Sequence, residues 1–107
     1  MGNYILDGHN TVKCNDVWEW AKWFEANFNK RHVANEEIGG IRVSTVFLGV
    51  DHSFGEGPPL LFETMVFGGP LDQEQDRCTT WKQAETMHVS MVDKIKHEVS
   101  NAEVTGA

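Results

Sequence analysis

Asp51 and His52 stand side by side in the stretch VDHSFGEGPPLLFETMVFGG, where they precede a turn rich in glycine and proline. Glu63 follows in the same stretch, inside an otherwise apolar run. A carboxylate with such neighbours needs a hydrogen-bonding or charged partner if it is buried. An imidazole close to it could exchange protons with a substrate or ligate a metal ion.

Two further residues extend this candidate site. Arg77 could hold an anionic group through paired hydrogen bonds. His88 lies near the middle of an apolar helical stripe, where a histidine is commonly a hydrogen-bonded core residue and less often a ligand. The ligand-binding candidates are therefore Asp51, His52, Glu63, Arg77 and His88. The chain has no H-x-H, H-E-x-x-H or G-x-S-x-G motif, so no catalytic residue, metal ligand or cofactor is assigned.

The pairing of the two strands beside the turn decides which of these side chains meet. If the numbers of paired residues have an even sum near 114, Glu63 lies opposite Asp51 and two like charges share a site. If the sum is odd, near 113, Glu63 and His52 lie on the same face of the sheet. We expect the odd register. In a purely structural interpretation Glu63 is exposed, or it pairs with Arg42 or Arg77, and the glycines and prolines only shape the turn.

The elements that must position these residues follow from hydrophobic periodicity and turn residues. A small hairpin comes first, then a helix capped by Asn15 or Asp16. Thr80 and Gln83 form a capping box that opens a second helix. The predicted strands after the first helix are residues 31–38 as an outer strand, 41–50 and 60–67 as central strands, and 72–77 as a loop or an edge strand.

The chain of 107 residues is long enough for one modest core. We predict an α+β fold in which two amphipathic helices pack on one face of a small antiparallel sheet of four to six strands, in the order ββαβββα. The domain is predicted to span residues 1–99, and residues 100–107 to form a flexible tail.

The first helix carries more aromatic residues than one buried stripe needs. Val17, Trp20, Ala21, Phe24 and Phe28 recur at helical spacing and are predicted to be buried. Trp18 and Trp23 fall off that stripe. We take these two tryptophans as candidates for a partner interface, since tryptophan is enriched in protein interfaces.

The formal net charge is −7, from nine Lys and Arg against sixteen Asp and Glu. The basic residues do not cluster, so we expect no direct binding to nucleic acid. No apolar run approaches the ~20 residues that cross a bilayer, and we expect a cytoplasmic protein. Cys14 and Cys78 could form one disulfide, but two free thiols are expected in that compartment.

The segments VSTVFLGVDHSFGEGPPLLFETMVFGG and WAKWFE, with an arginine, a TW pair and a helical histidine downstream, resemble a family of small proteins encoded by bacteriophages and prophages. The positions that carry the resemblance are Asp51, His52, Phe54, Gly57, Pro58, Pro59, Phe62, Glu63, Thr64, Met65, Phe67, Gly68, Arg77 and His88. Cys78 departs from the family, which often has an aromatic residue there. The resemblance implies an accessory protein of the host bacterial cytoplasm and implies no reaction.

These observations lead to a non-catalytic binding protein that acts on a host component, as a counter-defence or takeover factor. The alternative is a protein that sequesters a small anionic, nucleotide-like ligand, or a small hydrolase, with a site built from His52, Glu63, Arg77 and His88. A third alternative is a structural homodimer without a ligand.

Overall fold

The computed structural model describes the backbone of residues 2–105 and the side chains of residues 2–100. Six strands and two α-helices follow one another in this part of the chain. They are β1 (Tyr4–Asp7), β2 (Asn10–Lys13), α1 (Val17–Ala26), β3 (His32–Ile38), β4 (Ile41–Phe47), β5 (Phe62–Phe67), β6 (Gln75–Cys78) and α2 (Trp81–Thr105). A short 3-10 helix, Phe28–Arg31, joins α1 to β3.

The strands form two antiparallel sheets. The hairpin β1–β2 is a sheet of its own, and β3, β4, β5 and β6 form the larger sheet in that order. The Tyr4 N–H donates to the Gly49 carbonyl across 2.7 Å, the Asp51 N–H donates to the Gly2 carbonyl across 2.9 Å, and Asn3 bridges to Val50. These bonds join the start of the small sheet to the segment that follows β4. The predicted α+β class is confirmed, and β6 is the edge strand that the sequence left open between loop and strand.

One face of the larger sheet forms the core. Side chains alternate between faces along a strand, so Val43, Thr45 and Phe47 of β4 project to the same side as Phe62 and its alternate neighbours on β5. All of these side chains have 0% exposure. The α2 helix covers this face with the predicted stripe, in which Ala84, Met87, His88, Met91, Val92 and Ile95 are buried.

Both helices begin at the capping residues that the sequence indicates. The Asp16 carboxylate accepts hydrogen bonds from the N–H groups of Trp18 (2.9 Å) and Glu19 (3.3 Å). At α2 the Thr80 hydroxyl accepts from the Gln83 N–H, and the Gln83 side chain accepts from the Thr80 N–H, each across 3.1 Å. These contacts satisfy amide groups that a helix N-terminus leaves unpaired.

The α1 helix packs differently from the prediction. Val17, Ala21 and Phe28 are exposed, although the stripe placed them in the core. The contacts with Phe47 are made by Phe24, which belongs to the predicted stripe, and by Trp23, which does not; their rings lie 6.3 Å and 5.8 Å from that of Phe47. Trp20 of the stripe is half-buried, and its Nε1–H donates to the Gly49 carbonyl across 3.0 Å. The C-terminal end of α1 makes the contacts with Phe47 on the buried face of the sheet. The buried surface of α1 is therefore smaller than a stripe along the whole helix.

Two further predictions concern the C-terminus and the thiols. The backbone of α2 continues to Thr105, so the predicted domain boundary at residue 99 does not coincide with the end of the helix. Residues 106–107 lie outside the described part, and the flexibility of residues 100–107 stays a prediction. Cys14 and Cys78 are free thiols, as expected.

Candidate functional site

The candidate residues of the sequence occupy three separate places. Glu63 and Arg77 lie on the outer face of the larger sheet, His88 lies in the core against the inner face, and Asp51 with His52 lies in the segment that joins β4 to β5. The structure therefore does not bring His52, Glu63 and His88 together at one place. Ligand binding by any one of them alone stays a prediction.

Glu63 has a structural partner. It pairs with Arg77 across β5 and β6, and the Arg77 Nε donates to Glu63 Oε2 across 2.9 Å. The side chains are 16% exposed at Glu63 and 30% exposed at Arg77. Pairing of Glu63 with Arg77 was one of the purely structural interpretations of the sequence. An ion pair that water still reaches contributes little to stability, about 0–1 kcal/mol.

The register between β4 and β5 is odd, as expected, but its paired residue numbers sum to 109 and not to about 113, so it does not bring His52 to Glu63. The residue paired with Glu63 is Val46. Strand β4 ends at Phe47, and Gly49 turns the backbone out of the strand with φ +77°. The parity of the register thus gave the correct face, but the strand stops before it reaches His52.

His88 belongs to a buried chain of hydrogen bonds, which we call the Thr–His–Glu chain. Thr64 Oγ1 lies 2.5 Å from Thr45 Oγ1, and Thr45 Oγ1 lies 2.7 Å from His88 Nδ1. His88 Nε2 lies 3.1 Å from Glu36 Oε1 on β3. His88 is 2% exposed, whereas the Glu36 side chain is 51% exposed, so the chain runs from the core to the surface.

The direction of these hydrogen bonds follows from the chemistry of the groups. A carboxylate only accepts, so His88 Nε2–H donates to Glu36. In a neutral imidazole the other nitrogen then accepts, so the Thr45 hydroxyl donates to Nδ1 and the Thr64 hydroxyl donates to Thr45. This orientation gives each of these buried groups a partner.

An acid, an imidazole and a hydroxyl in line are also the arrangement by which hydrolases activate a nucleophile. Here both hydroxyls are 0% exposed, and Thr45 lies under α2. A substrate cannot reach them in this conformation. The Thr–His–Glu chain therefore ties β3, β4 and β5 to α2, and His88 is the hydrogen-bonded core residue that its position in the stripe indicated.

Asp51 organises the segment between β4 and β5. Its Oδ1 accepts hydrogen bonds from the Ser53 N–H (2.8 Å) and from the Leu60 N–H (2.9 Å), which join the two ends of residues 53–59. These bonds stabilise the carboxylate, and the Ser53 bond contributes most to holding the pKa of Asp51 below its ordinary value. We call residues 53–59 the Phe54 loop.

Phe54 is 97% exposed at the tip of this loop. Most aromatic side chains of this chain are at least partly buried. Phe54 is more exposed than Trp18, at 77%, or Phe28, at 61%. The sequence explained the glycines and prolines as turn chemistry, and Phe54 was named only among the positions that carry the family resemblance, not as a contact residue. The available signal was a large apolar residue between turn-forming neighbours, where no strand or helix can bury it.

The two tryptophans proposed for an interface differ. Trp18 is 77% exposed and stays a candidate for a contact surface. Trp23 is half-buried and packs edge-on against Phe24 and Phe47, so it supports the core instead. The position of Trp23 outside the predicted stripe did not make it exposed, because the C-terminal end of α1 contacts Phe47 at the end of β4.

A groove of about 660 Å³ lies between β6 and the first half of α2. Its lining includes Arg77, Cys78, Lys82 and Met87. Burial, with a smaller effect of the Asp76 charge, raises the pKa of the Cys78 thiol to about 11. A thiol with such a pKa is a poor nucleophile at neutral pH, so we do not add Cys78 to the candidate site residues.

Among the described residues, no three His, Cys, Asp or Glu side chains are grouped in a way that could hold a metal ion. Within the same part of the chain, no helix has both the length and the apolar character that crossing a bilayer requires.

Comparison with known proteins identifies no relative of this chain. No protein-family model, curated protein sequence or solved structure matches it. The resemblance to a phage and prophage family therefore stays a prediction.

Proposed function

We propose that this protein is a non-catalytic binding protein and that the Phe54 loop is its principal contact with a partner protein. The observation that carries the proposal is the 97% exposure of Phe54 on a loop whose ends are joined by Asp51. An aromatic side chain held away from its own protein is what a binding pocket on another protein recognises.

The loop is suited to this role because it is ordered before binding. The Asp51 hydrogen bonds and the two prolines, Pro58 and Pro59, restrict its conformations in the free protein. Less conformational entropy is then lost when a partner binds. Full burial of a phenylalanine contributes about 1.5–3 kcal/mol, so one such residue can dominate an interface.

The net charge and the sequence resemblance support a partner with a basic surface that comes from the host bacterium. A net charge of −7 favours association with a basic surface through long-range attraction. The resemblance to phage and prophage proteins supports a partner from the host bacterium, met in the cytoplasm, and a counter-defence or takeover role. Both statements are part of the proposal.

The geometry does not favour the alternative of a small anionic ligand held jointly by His52, Glu63, Arg77 and His88. Glu63 already neutralises Arg77, and His88 is buried on the other face of the sheet. No single pocket collects these four residues among the described lining sets.

The test is quantitative capture from bacterial lysate with three immobilised forms of the protein: wild type, Phe54→Ala and Phe28→Ala. Phe28 is the matched control because it is also an exposed phenylalanine, at 61%, and it lies outside the loop. We expect Phe54→Ala to bind the captured protein about tenfold to one hundredfold more weakly, which corresponds to an interface anchor.

Folding is checked by thermal unfolding, because an exposed side chain should leave the midpoint unchanged when it is truncated. Capture that is equal for wild type and Phe54→Ala would remove the Phe54 loop from the interface. Loss with Phe28→Ala alone would move the interface to the end of α1.

A further inference from the structure

The two edges of the larger sheet differ in a way that bears on binding. β6 and β3 are its edge strands, and each pairs on one side only. At β6 the Arg77 N–H donates to the Asp76 carboxylate across 2.9 Å. A side chain thus occupies an edge amide that an added strand would need, which is one way in which proteins protect an edge.

The edge of β3 has no such cover among the described residues. Ile38 pairs with Ile41 across the two-residue turn Gly39–Gly40, and hydrogen-bonded and non-hydrogen-bonded pairs alternate from there. The N–H and C=O groups of Ile38 and Glu36 therefore point to β4, and those of Glu37 and Asn35 point outward. Within the described part of the chain, no hydrogen bond engages the Asn35 or Glu37 amide.

The same pattern is consistent across the sheet. The Val66 N–H donates to the Glu74 carbonyl, so even-numbered residues of β5 bond toward β6. The Leu48 N–H donates to the Leu61 carbonyl, which continues the pairing of β4 with β5. Even-numbered residues of β4 thus bond to β5, and odd-numbered ones bond to β3. The outward direction of Asn35 and Glu37 follows from this alternation.

The charge of the β3 edge selects its occupant. Asn35, Glu36 and Glu37 are consecutive and exposed. Two copies that paired antiparallel along this edge would bring their glutamates together, and the chain already carries a net charge of −7. A strand that carries lysine or arginine is attracted to this edge, because its cations face the carboxylates.

Neither glutamate is fully neutralised by its own protein. Glu36 shares one oxygen with His88 and stays 51% exposed. Arg42 is paired with Glu37 across β3 and β4, but its guanidinium lies over the Phe67 ring at 4.4 Å, on the β5 side. Both faces of the edge therefore offer a carboxylate to an incoming strand.

We infer that the open edge of β3 binds an extended, basic segment of a partner protein as a fifth strand of the larger sheet. Main-chain hydrogen bonds to Asn35 and Glu37 would supply affinity, and the two glutamates would supply the preference for basic residues. The inference rests on the proposed binding function and adds a second contact, separate from the Phe54 loop.

The probe is an octapeptide of alternating lysine and valine, acetylated and amidated, with an octapeptide of alternating glutamate and valine as its control. Binding is followed by the backbone amide signals of the protein in NMR titrations. We expect the lysine peptide to bind, to shift and protect the Asn35 and Glu37 amides, and to bind about tenfold or more tightly than the glutamate peptide.

Two variants separate strand addition from general charge attraction. Asn35→Pro keeps every charge, removes an outward N–H and is tolerated at an edge, so it should weaken the lysine peptide about tenfold. Glu37→Lys keeps the edge amides and should reverse the preference between the two peptides. Phe54→Ala should bind the lysine peptide like wild type, which separates this test from that of the Phe54 loop.

The inference is overturned if the lysine peptide does not bind, or if it binds Asn35→Pro as tightly as wild type while that variant unfolds at the wild-type temperature. If Asn35→Pro does not fold, Glu37→Lys decides. An unchanged preference for the lysine peptide in that variant contradicts the role of the edge.

Discussion

Thr45 Oγ1 and His88 Nδ1 lie 2.7 Å apart in the middle of the core, between one group of apolar side chains around Phe47 and a second group around Val43. In the neutral imidazole the hydroxyl donates and Nδ1 accepts, because Nε2 of the same ring donates to Glu36. This one contact joins the central strand β4 to α2 by a directional bond where the surrounding contacts are apolar.

Loss of the Thr45 hydroxyl should be costly. Thr45→Val leaves the His88 Nδ1 without a donor and the Thr64 hydroxyl without an acceptor, so we expect unfolding to become easier by about 2–4 kcal/mol. Thr64→Val removes a donor at the end of the chain and should cost only about 0.5–1.5 kcal/mol. Urea unfolding of both variants measures the difference.

The double variant sharpens this prediction. With both threonines replaced by valine, only the His88 nitrogen is left unpaired, so the double variant should be no less stable than Thr45→Val alone. If Thr64→Val is the more damaging single change, Thr45 is not the central member of the Thr–His–Glu chain.

Gly49 should not tolerate a side chain. Its φ is +77°, and a Cβ there would lie 2.1 Å from the Phe24 ring, while its carbonyl accepts from Trp20 Nε1 across 3.0 Å. We expect Gly49→Ala to lower the free energy of unfolding by about 3 kcal/mol or more. Gly39→Ala is the control: its φ is +55° in open space, and it should cost only about 1 kcal/mol. Equal losses, measured by thermal unfolding, would show that the contact with Phe24 does not matter.

The Phe54 loop should loosen in acid. The pKa of Asp51 is lowered by hydrogen bonds from Ser53 and Leu60, so the contribution of the ionised carboxylate is fully present above its unfolded value. That contribution is lost as the pH falls through the lower, folded value, below the ordinary 3.8. The Leu60 amide signal should report this step by NMR. Asp51→Asn should abolish the step, and a step that persists in that variant belongs to another group.

Cys78 should react slowly with alkylating reagents. Burial raises its pKa to about 11, from an ordinary 9.0, so the thiolate fraction at pH 8 falls about one hundredfold. Iodoacetamide labelling, followed by mass spectrometry, should therefore be about one hundredfold slower at Cys78 in the folded protein than in urea. The same thiol in the unfolded chain is the control, and similar rates in both states would contradict the shift.

The sequence predicted the features of this fold that depend on local pattern. The stripe from Ala84 to Ile95, the caps at Asp16 and Thr80 and the two central strands arise from periodicity and from side chains that satisfy helix ends, and these are properties of neighbouring residues. The same periodicity placed His88 in the buried stripe, although it was also taken as a ligand-binding candidate.

The remaining features depend on where the chain goes in space. Parity gave the face of Glu63, but after the bend at Gly49 the segments pair in a different register, in which the His52 N–H donates to the Leu60 carbonyl across 3.1 Å. The exposure of Phe54 likewise depends on the path of a loop. Trp23 could not be separated from Trp18, because the position of α1 at the end of the sheet is a tertiary property.

The difference between the two sheet edges sets a limit on assembly. Asp76 occupies an amide of β6, and the glutamates of β3 repel a second copy of themselves. Charge therefore opposes antiparallel pairing of two copies along β3, and a strand added at β6 would have to displace Asp76 from the Arg77 amide. We expect the β3 edge to accept one strand of a partner for each molecule.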